Sequence, residues 1–164
     1  MTAHAQDFVS APKNVEVSAS VSGVVGTDLV GLGVRVGSRT GSRTSIEGGL
    51  DWTDAFHTRH WPDQVVWFCF WQMKHNVWSD GQTSIFATYG TSGWIERQSV
   101  PPGRLEPFVV PPFLPLVGAG TQHVLASRIA IRFDAQFVIW PFEGGAVIPR
   151  VGAGVTVPIR RYAR

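Results

Sequence analysis

The stretch that decides the fold is IAIRFDAQFVI, which runs from Ile129 to Ile139. Every second residue of this stretch is apolar, namely Ile129, Ile131, Phe133, Ala135, Phe137 and Ile139. The positions between them are small, polar or charged up to Gln136, namely Ala130, Arg132, Asp134 and Gln136. Residues two apart in a strand lie on one face, so the pattern predicts a β-strand with an apolar face and a polar face.

The same alternation recurs along the chain and predicts eight strands. The eight alternating runs are Val15–Val21, Val30–Gly37, Ile46–Thr53, Val65–Val77, Thr83–Trp94, Leu116–Leu125, Ile129–Ile139 and Val151–Ile159. In the fourth run the faces are ambiguous, because both are apolar at first and Gln72 and Lys74 appear only later. Asp80-Gly81 is a strong hairpin signal between the fourth and fifth runs. We therefore expect an all-β fold, an eight-stranded antiparallel up-and-down β-barrel with meander connections.

Composition agrees with one β domain. The chain has 164 residues, 18 of them Gly and 11 Pro, and its only lysines are Lys13 and Lys74. No shift in composition divides it, so we expect a single barrel domain over residues 1–164, with residues 1–12 as an N-terminal tail. Ala3-His4-Ala5 has the small-x-small form of a signal-peptidase site, but the charged and apolar regions that precede such a site are missing. A truncated signal peptide and a chance match both stay open.

Alternation alone does not say which face points inward, but three features favour an apolar outside. Strands of about ten residues cross a bilayer when tilted. Glycines gather on the polar face, where a narrow interior needs small residues. Aromatic residues lie near strand ends, where membrane barrels carry interfacial girdles; they are Trp52, Trp61, Trp78, Trp94, Trp140 and Tyr162.

This orientation assigns residues to the two faces. The predicted charge network of the lumen comprises Glu16, Arg35, Glu47, Asp51, Lys74, Arg128, Arg132, Asp134, Arg150 and Arg160. The predicted lipid- or partner-facing residues are Val15, Val17, Leu32, Val34, Leu50, Ile129, Ile131, Phe133, Phe137, Val151, Val155 and Val157. Both signs occur in the lumen set, as they must, since an unpaired buried charge is very costly.

The chain resembles the small eight-stranded outer-membrane β-barrel superfamily, most strongly between Gly118 and Tyr162. The segments that carry the resemblance are VGAGT (Val117–Thr121), RIAIRFD (Arg128–Asp134) and RVGAGVTV (Arg150–Val157), which are similar to the last three strands of that family. The resemblance implies a non-enzymatic barrel of the bacterial outer membrane, structural or anchoring or narrow and pore-like, with membrane lipid as its partner.

Signals of other functions are weak. Asp54, His57 and His60 share one segment without a further spaced ligand, so we expect no metal site there. No nucleophile motif such as G-x-S-x-G occurs, and the Gly-x-Gly pairs lie inside strand patterns without a following helix, so neither an enzyme nor a cofactor is expected. Basic residues form no run that could follow a phosphate backbone, so we expect no nucleic acid as a partner. Cys69 is the only cysteine and lies between Phe68 and Phe70, so we assign it no chemistry.

The Pro-rich segment Gln98–Pro115 predicts a long loop whose apolar side chains need a covering partner. Its candidate contact residues are Leu105, Phe108, Phe113 and Leu114. They could cover the barrel's own mouth, or contact a membrane or a neighbouring copy. Two alternatives to the membrane barrel follow: a subunit that self-assembles through its apolar outside into an extracellular homopolymer or filament, and a soluble barrel that binds a small apolar ligand, with Val15, Ile131 and Val155 inside and Glu47 and Arg132 in water.

Overall fold

A computed structural model describes residues 15–25, 30–52, 65–97, 113–126, 129–141 and 145–159, with the side chains of 65, 66, 94–97 and 126 left out. The predicted N-terminal tail, residues 1–12, lies outside these ranges. Within these ranges every regular element is a strand. None of the described residues belongs to a helix long and apolar enough to cross a bilayer.

Eight strands form one closed barrel. They are β1 (Val15–Val24), β2 (Val30–Arg39), β3 (Thr44–Trp52), β4 (Val65–Ser79), β5 (Thr83–Arg97), β6 (Leu114–Ala126), β7 (Ile129–Trp140) and β8 (Ala146–Ile159). Each strand pairs antiparallel with its neighbours in the sequence, and β8 closes the barrel on β1. Closure leaves no sheet edge unpaired. The predicted fold class, an eight-stranded antiparallel up-and-down barrel, is confirmed.

The strand connections differ between the two ends of the barrel. At one end, the turn end, short connections join β2 to β3, β4 to β5 and β6 to β7. At the opposite end, the loop end, the connections include the long segments between β3 and β4 and between β5 and β6. Short turns at one end and long loops at the other are typical of outer-membrane barrels.

The turn between β4 and β5 forms as its Asp-Gly pair predicts. The Asp80 carboxylate accepts hydrogen bonds from the backbone N–H groups of Thr83 at 2.6 Å and Gln82 at 2.9 Å. Gly81 has a φ of 88°, a left-handed conformation that glycine adopts without steric cost. The side-chain acceptor and the glycine together fix where β4 ends and β5 begins.

Two strands begin before the residue at which the alternating pattern starts. Each includes a proline that the sequence analysis had placed outside the strand. β6 starts at Leu114, whereas the sequence placed Leu114 and Pro115 in the long loop. β8 starts at Ala146 and includes Pro149. The Pro149 carbonyl accepts a hydrogen bond from the Val25 backbone N–H at 2.9 Å, beyond the last residue of β1. The missing N–H of Pro149 therefore faces a rim where the β1 ladder ends, and the strand tolerates it.

Candidate functional site

The centre of the barrel holds a connected network of buried charges. Glu47 accepts a hydrogen bond from Arg132 at 2.7 Å and lies 3.3 Å from the Lys74 ammonium. Arg132 also contacts Asp134 at 3.0 Å, and Asp134 pairs in turn with Arg35. All five side chains are at least nine-tenths buried. Each carboxylate contacts two cations, and Glu16, 3.4 Å from Lys74, supplies the third negative charge that balances the three cations.

A second branch of the network lies closer to the loop end. Arg150 pairs with Asp51, and both contact the Ser22 hydroxyl, which donates to Asp51 at 2.8 Å. Two buried glutamines join the branches: Gln136 accepts from Arg150 at 3.1 Å and donates to Gln72 at 3.0 Å. Gln72 donates in turn to Glu47 at 2.9 Å. A continuous chain of hydrogen bonds therefore joins the two groups of charges.

Aromatic rings inside the barrel lie against the cations of this network. The Arg150 guanidinium is 3.6 Å from the centre of the Phe68 ring, and that of Arg132 is 4.6 Å from the Phe86 ring. Phe86 also lies 5.2 Å from the Lys74 ammonium. Cations over aromatic faces gain more when both are shielded from water. The rings thus fill space and stabilise the charges at once.

An apolar cluster fills the interior at the loop end. Its buried members are Phe68, Phe70, Leu114, Leu116 and Val138, with Trp140 and Ile148 packed against them. Phe68 and Leu114 are at most 1% exposed. Because eight strands enclose a space that side chains just fill, this cluster and the charge network leave the described interior packed.

The outer surface is an apolar belt. Thirteen of its described aliphatic and aromatic side chains are half exposed or more; they are Val25, Leu32, Val34, Val36, Trp71, Val77, Tyr89, Phe113, Leu125, Phe133, Val147, Val151 and Ile159. Trp52 also points outward and stacks on Trp67, with ring centres 6.0 Å apart. A surface of this extent on a monomer marks an interaction with lipid or with other protein.

The predicted lumen residues meet in the described interior. Arg35, Glu47, Asp51, Lys74, Arg132, Asp134 and Arg150 are buried and paired, and Glu16 is half-buried and 3.4 Å from Lys74. Arg128 and Arg160 lie outside the described residues. The twelve predicted lipid- or partner-facing residues are exposed or half-buried, with Val15, Val17 and Ile131 half-buried and the others exposed. A soluble barrel that binds an apolar ligand would have Val155 inside and Glu47 and Arg132 in water. In the structure Val155 points outward, and Glu47 and Arg132 are buried inside.

Two assignments from the sequence are wrong. Leu114, expected as an exposed loop contact, is fully buried, because β6 already alternates there and turns Leu114 and Leu116 inward. Trp140, expected in an interfacial girdle, packs against the inner apolar cluster, since Ile139 takes the outward position next to it. Phe113 is 74% exposed, as expected of a contact residue. Leu105, Phe108, Trp61 and Tyr162 lie outside the described residues, as does the Trp94 side chain.

The sequence analysis missed the interior aromatic and amide groups. Phe68, Phe70 and Gln72 share the face of β4 that carries Lys74, so counting back from Lys74 in steps of two would have found them. Among the residues that the structure describes, no group of three or more His, Cys, Asp or Glu side chains is placed to hold a metal ion. His57 and His60 lie outside those residues. Cys69 is a free, half-buried thiol whose Sγ lies 3.5 Å from the Gly93 carbonyl oxygen.

The barrel is similar to solved outer-membrane barrels. It matches the N-terminal β-barrel domain of Pseudomonas aeruginosa OprF with a TM-score of 0.67 and 11% identity, over 89% of this chain and 97% of that one. The Yersinia pestis outer membrane protein Ail gives 0.57 and 11% identity, over 90% and 99%. A de novo designed transmembrane β-barrel gives 0.58 and 11% identity, over 92% and 98%.

The chain has the fold of the small outer-membrane β-barrels. The resemblance expected from the sequence is therefore confirmed at the level of the fold, and at these identities the similarity shows the fold alone. No protein-family model matches the sequence, and no curated protein matches it. What this small outer-membrane barrel fold does in this chain has to be argued from its own residues.

Proposed function

We propose that the chain is a non-enzymatic β-barrel of the bacterial outer membrane that spans the bilayer as a closed anchor. The observation that carries the proposal is the orientation of the two faces, with Val34 and Phe133 more than half exposed outside and Glu47 and Arg132 3% exposed inside. Apolar side chains outside and matched charges inside are what a barrel needs when lipid surrounds it.

Strand length supports the same reading. The shortest strand, β3, has 9 residues, and the longest, β4 and β5, have 15 each. A tilted strand of about 9–11 residues crosses the hydrocarbon core of a bilayer. All eight strands therefore have at least the length that a spanning barrel requires.

The packed interior favours an anchor over a pore. The apolar cluster around Phe68 and Leu116 fills the loop end, and ion pairs fill the centre. Ions would have to break the pairs between Arg132, Glu47 and Lys74 to pass. Breaking buried pairs costs several kcal/mol, which makes a steady open state unfavourable.

Lipid contact at Trp71 tests the proposal. Trp71 points outward from the middle of β4 and is 61% exposed. The chain is refolded into vesicles whose acyl chains carry a bromine quencher, and its fluorescence is compared with that of a Trp71→Phe variant, so that the difference reports Trp71 alone. We expect lipid quenching of that difference and little quenching by aqueous acrylamide. Acrylamide quenching without lipid quenching would contradict a membrane-spanning barrel.

The same apolar belt could contact neighbouring copies in place of lipid, as a homo-oligomer or an extracellular homopolymer. The belt continues around the barrel on every strand, for example at Val21, Leu32, Leu50 and Val157, so a copy on each side could cover it. The two proposals differ in detergent-free buffer. A soluble polymer in which Trp71 is shielded from acrylamide would favour self-assembly, whereas aggregation that detergent reverses would favour the membrane barrel.

A further inference from the structure

The mouth of the barrel at the turn end contains a small polar pocket with a surplus of positive charge. Its volume is about 30 Å³, and it is lined by Glu16, Arg39, Arg43, Thr44, Ser45, Lys74, Asn76, Ser84 and Gln122. Three of these side chains are cationic and one is anionic. The anchor function proposed above does not involve this pocket.

Charge pairing concentrates the surplus on two arginines. The cations Arg35, Lys74, Arg132 and Arg150 are paired with the carboxylates Glu16, Glu47, Asp51 and Asp134. Glu16, the carboxylate of the pocket, is already 3.4 Å from Lys74. Within the described ranges, neither Arg39 nor Arg43 forms an ion pair. Glu16 also acts on Arg39 electrostatically, but it is shared with Lys74, so the two guanidinium groups leave the mouth with a net positive charge.

The turn between β2 and β3 holds Arg39 in place. Its Nε donates to the Gly41 carbonyl at 3.0 Å, and its Nη2 donates to the Ser42 carbonyl. The turn itself is closed by the Thr44 carbonyl, which accepts from the backbone N–H groups of Thr40 at 2.9 Å and Gly41 at 3.1 Å. A guanidinium positioned by its own turn loses little freedom when it binds an anion with its remaining N–H groups.

A hydroxyl group adds a donor beside these cations. The Ser45 hydroxyl is buried and has no hydrogen-bond partner within the described residues. A buried polar group without a partner is costly, so a ligand oxygen that accepts its hydrogen bond would be favoured. Two guanidinium groups and a hydroxyl match an anion that offers several oxygens.

We propose that this pocket binds a phosphate group. A pocket of about 30 Å³ has room for one or two water molecules. A phosphate would therefore place one or two oxygens inside, beside Arg39 and Ser45, and keep the others at the opening, where Arg43 is exposed. The phosphate could belong to free inorganic phosphate or to the headgroup of a phospholipid at the rim. The proposal does not rest on the anchor function, because the site lies within the mouth of the folded barrel.

Binding is measured on the full chain, folded in micelles of a nonionic, phosphate-free detergent, at an ionic strength of about 0.15 M, where weak surface attraction is largely screened. One arm titrates inorganic phosphate by calorimetry, and the other counts phosphatidylglycerol molecules retained in native mass spectrometry. The variants are Arg39→Gln with Arg43→Gln, and the control Arg97→Gln, the same type of substitution at the last position of β5. Circular dichroism verifies that each variant is folded.

We expect the double variant to bind phosphate at least about tenfold more weakly, since the loss of one charge-assisted hydrogen bond weakens binding by about tenfold or more, and Arg97→Gln to bind as the wild type does. This result with inorganic phosphate would identify a free-phosphate site. If the double variant loses only phosphatidylglycerol retention, the site binds a phospholipid headgroup. Equal binding, or equal absence of binding, by all three proteins in both arms would overturn the proposal. Failure of the chain to enter vesicles would reject the anchor function. The phosphate measurements would remain valid, because they are made in micelles.

Discussion

At the residue scale, Glu47 is the carboxylate on which the central network depends. It is 3% exposed and contacts Arg132, Lys74 and Gln72. Two cations therefore share this one carboxylate, while Asp134 and Glu16 supply the remaining negative charge. Loss of Glu47 leaves positive charge uncompensated in a place that water does not reach.

We predict that Glu47→Gln destabilises the barrel by about 3 kcal/mol or more, because removing one partner of a buried ion pair leaves an unpaired buried charge. The measurement is the free energy of unfolding from urea titration in lipid vesicles. Glu47→Gln with Lys74→Gln removes one charge of each sign and should recover part of the loss. A single variant as stable as the wild type would contradict this account of the network.

Two glycines of β5 provide a matched test of the packing on the two faces. Gly90 faces the interior, and a Cβ there would lie 2.6 Å from the Cα of Gln72, against the β4 backbone. Gly93 is on the outward side of β5, buried opposite Cys69, and a Cβ there would meet Cys69 Sγ at 3.7 Å, an ordinary contact. The same substitution three residues apart should therefore have opposite consequences.

We predict that Gly90→Ala lowers the free energy of unfolding by about 1–3 kcal/mol, the usual cost of overpacking. Gly93→Ala should be neutral or stabilising by up to about 1 kcal/mol, because alanine restricts the unfolded chain. Urea unfolding of both variants in the same vesicles measures the difference. Equal effects would mean that the inner face of β5 is not packed against β4 as described.

At the element scale, a strand could be recognised clearly from the sequence only where its two faces differ in polarity. β7 alternates cleanly because Arg132 and Asp134 point inward and Phe133 points outward. β4 was ambiguous because Phe68 and Phe70 point inward too, where they form the apolar cluster. A strand that is apolar on both faces gives no period of two, so only its neighbours fix its register.

The pairing of charges could not be predicted from the sequence. Arg35 and Asp134 lie on β2 and β7, which are not neighbours in the barrel, and Arg132 and Glu47 lie on β7 and β3. Their contacts cross the interior and depend on strand tilt and stagger, which alternation does not specify. The sequence thus predicted that these four charged side chains point inward and left open which of them meet.

The hairpin of β4 and β5 leads to a prediction about pH. Hydrogen bonds from the backbone N–H groups of Thr83 and Gln82 stabilise the charged Asp80 carboxylate and hold its pKa below the ordinary value. A lowered folded-state pKa means that this stabilisation is present above the ordinary pKa of Asp, near pH 4, and is lost as the pH falls through the lowered value.

We predict that Asp80→Asn lowers the urea midpoint at neutral pH and that its difference from the wild type shrinks as the pH falls below about 4. Asn keeps an oxygen acceptor but cannot ionise, so the difference between the two proteins isolates the charge of Asp80 from the other carboxyl groups. Urea titrations at several pH values measure it. A difference that stays constant over this range would show that the charge does not contribute.

At the scale of the whole molecule, the two ends of the interior are filled differently. The loop end holds the apolar cluster, the centre holds the ion pairs, and the turn end opens into the small pocket with Arg39 and Arg43. The described interior is therefore packed at the loop end and at the centre, and it has a small pocket at the turn end. Side chains that fill the centre and the loop end distinguish a spanning anchor from a spanning channel.

We predict that the folded chain gives no steady ionic current in a planar bilayer. The ion pairs of Arg132 with Glu47 and of Arg150 with Asp51 lie across the interior, and Phe68 and Leu116 close it beyond them. An ion has to displace both, at a cost of several kcal/mol for the pairs alone. Lipid quenching of Trp71 on the same preparation verifies insertion, and an open porin verifies the bilayer. A steady current that scales with the amount of inserted protein would replace the anchor with a narrow pore, whereas brief, rare openings fit ion pairs that separate and re-form.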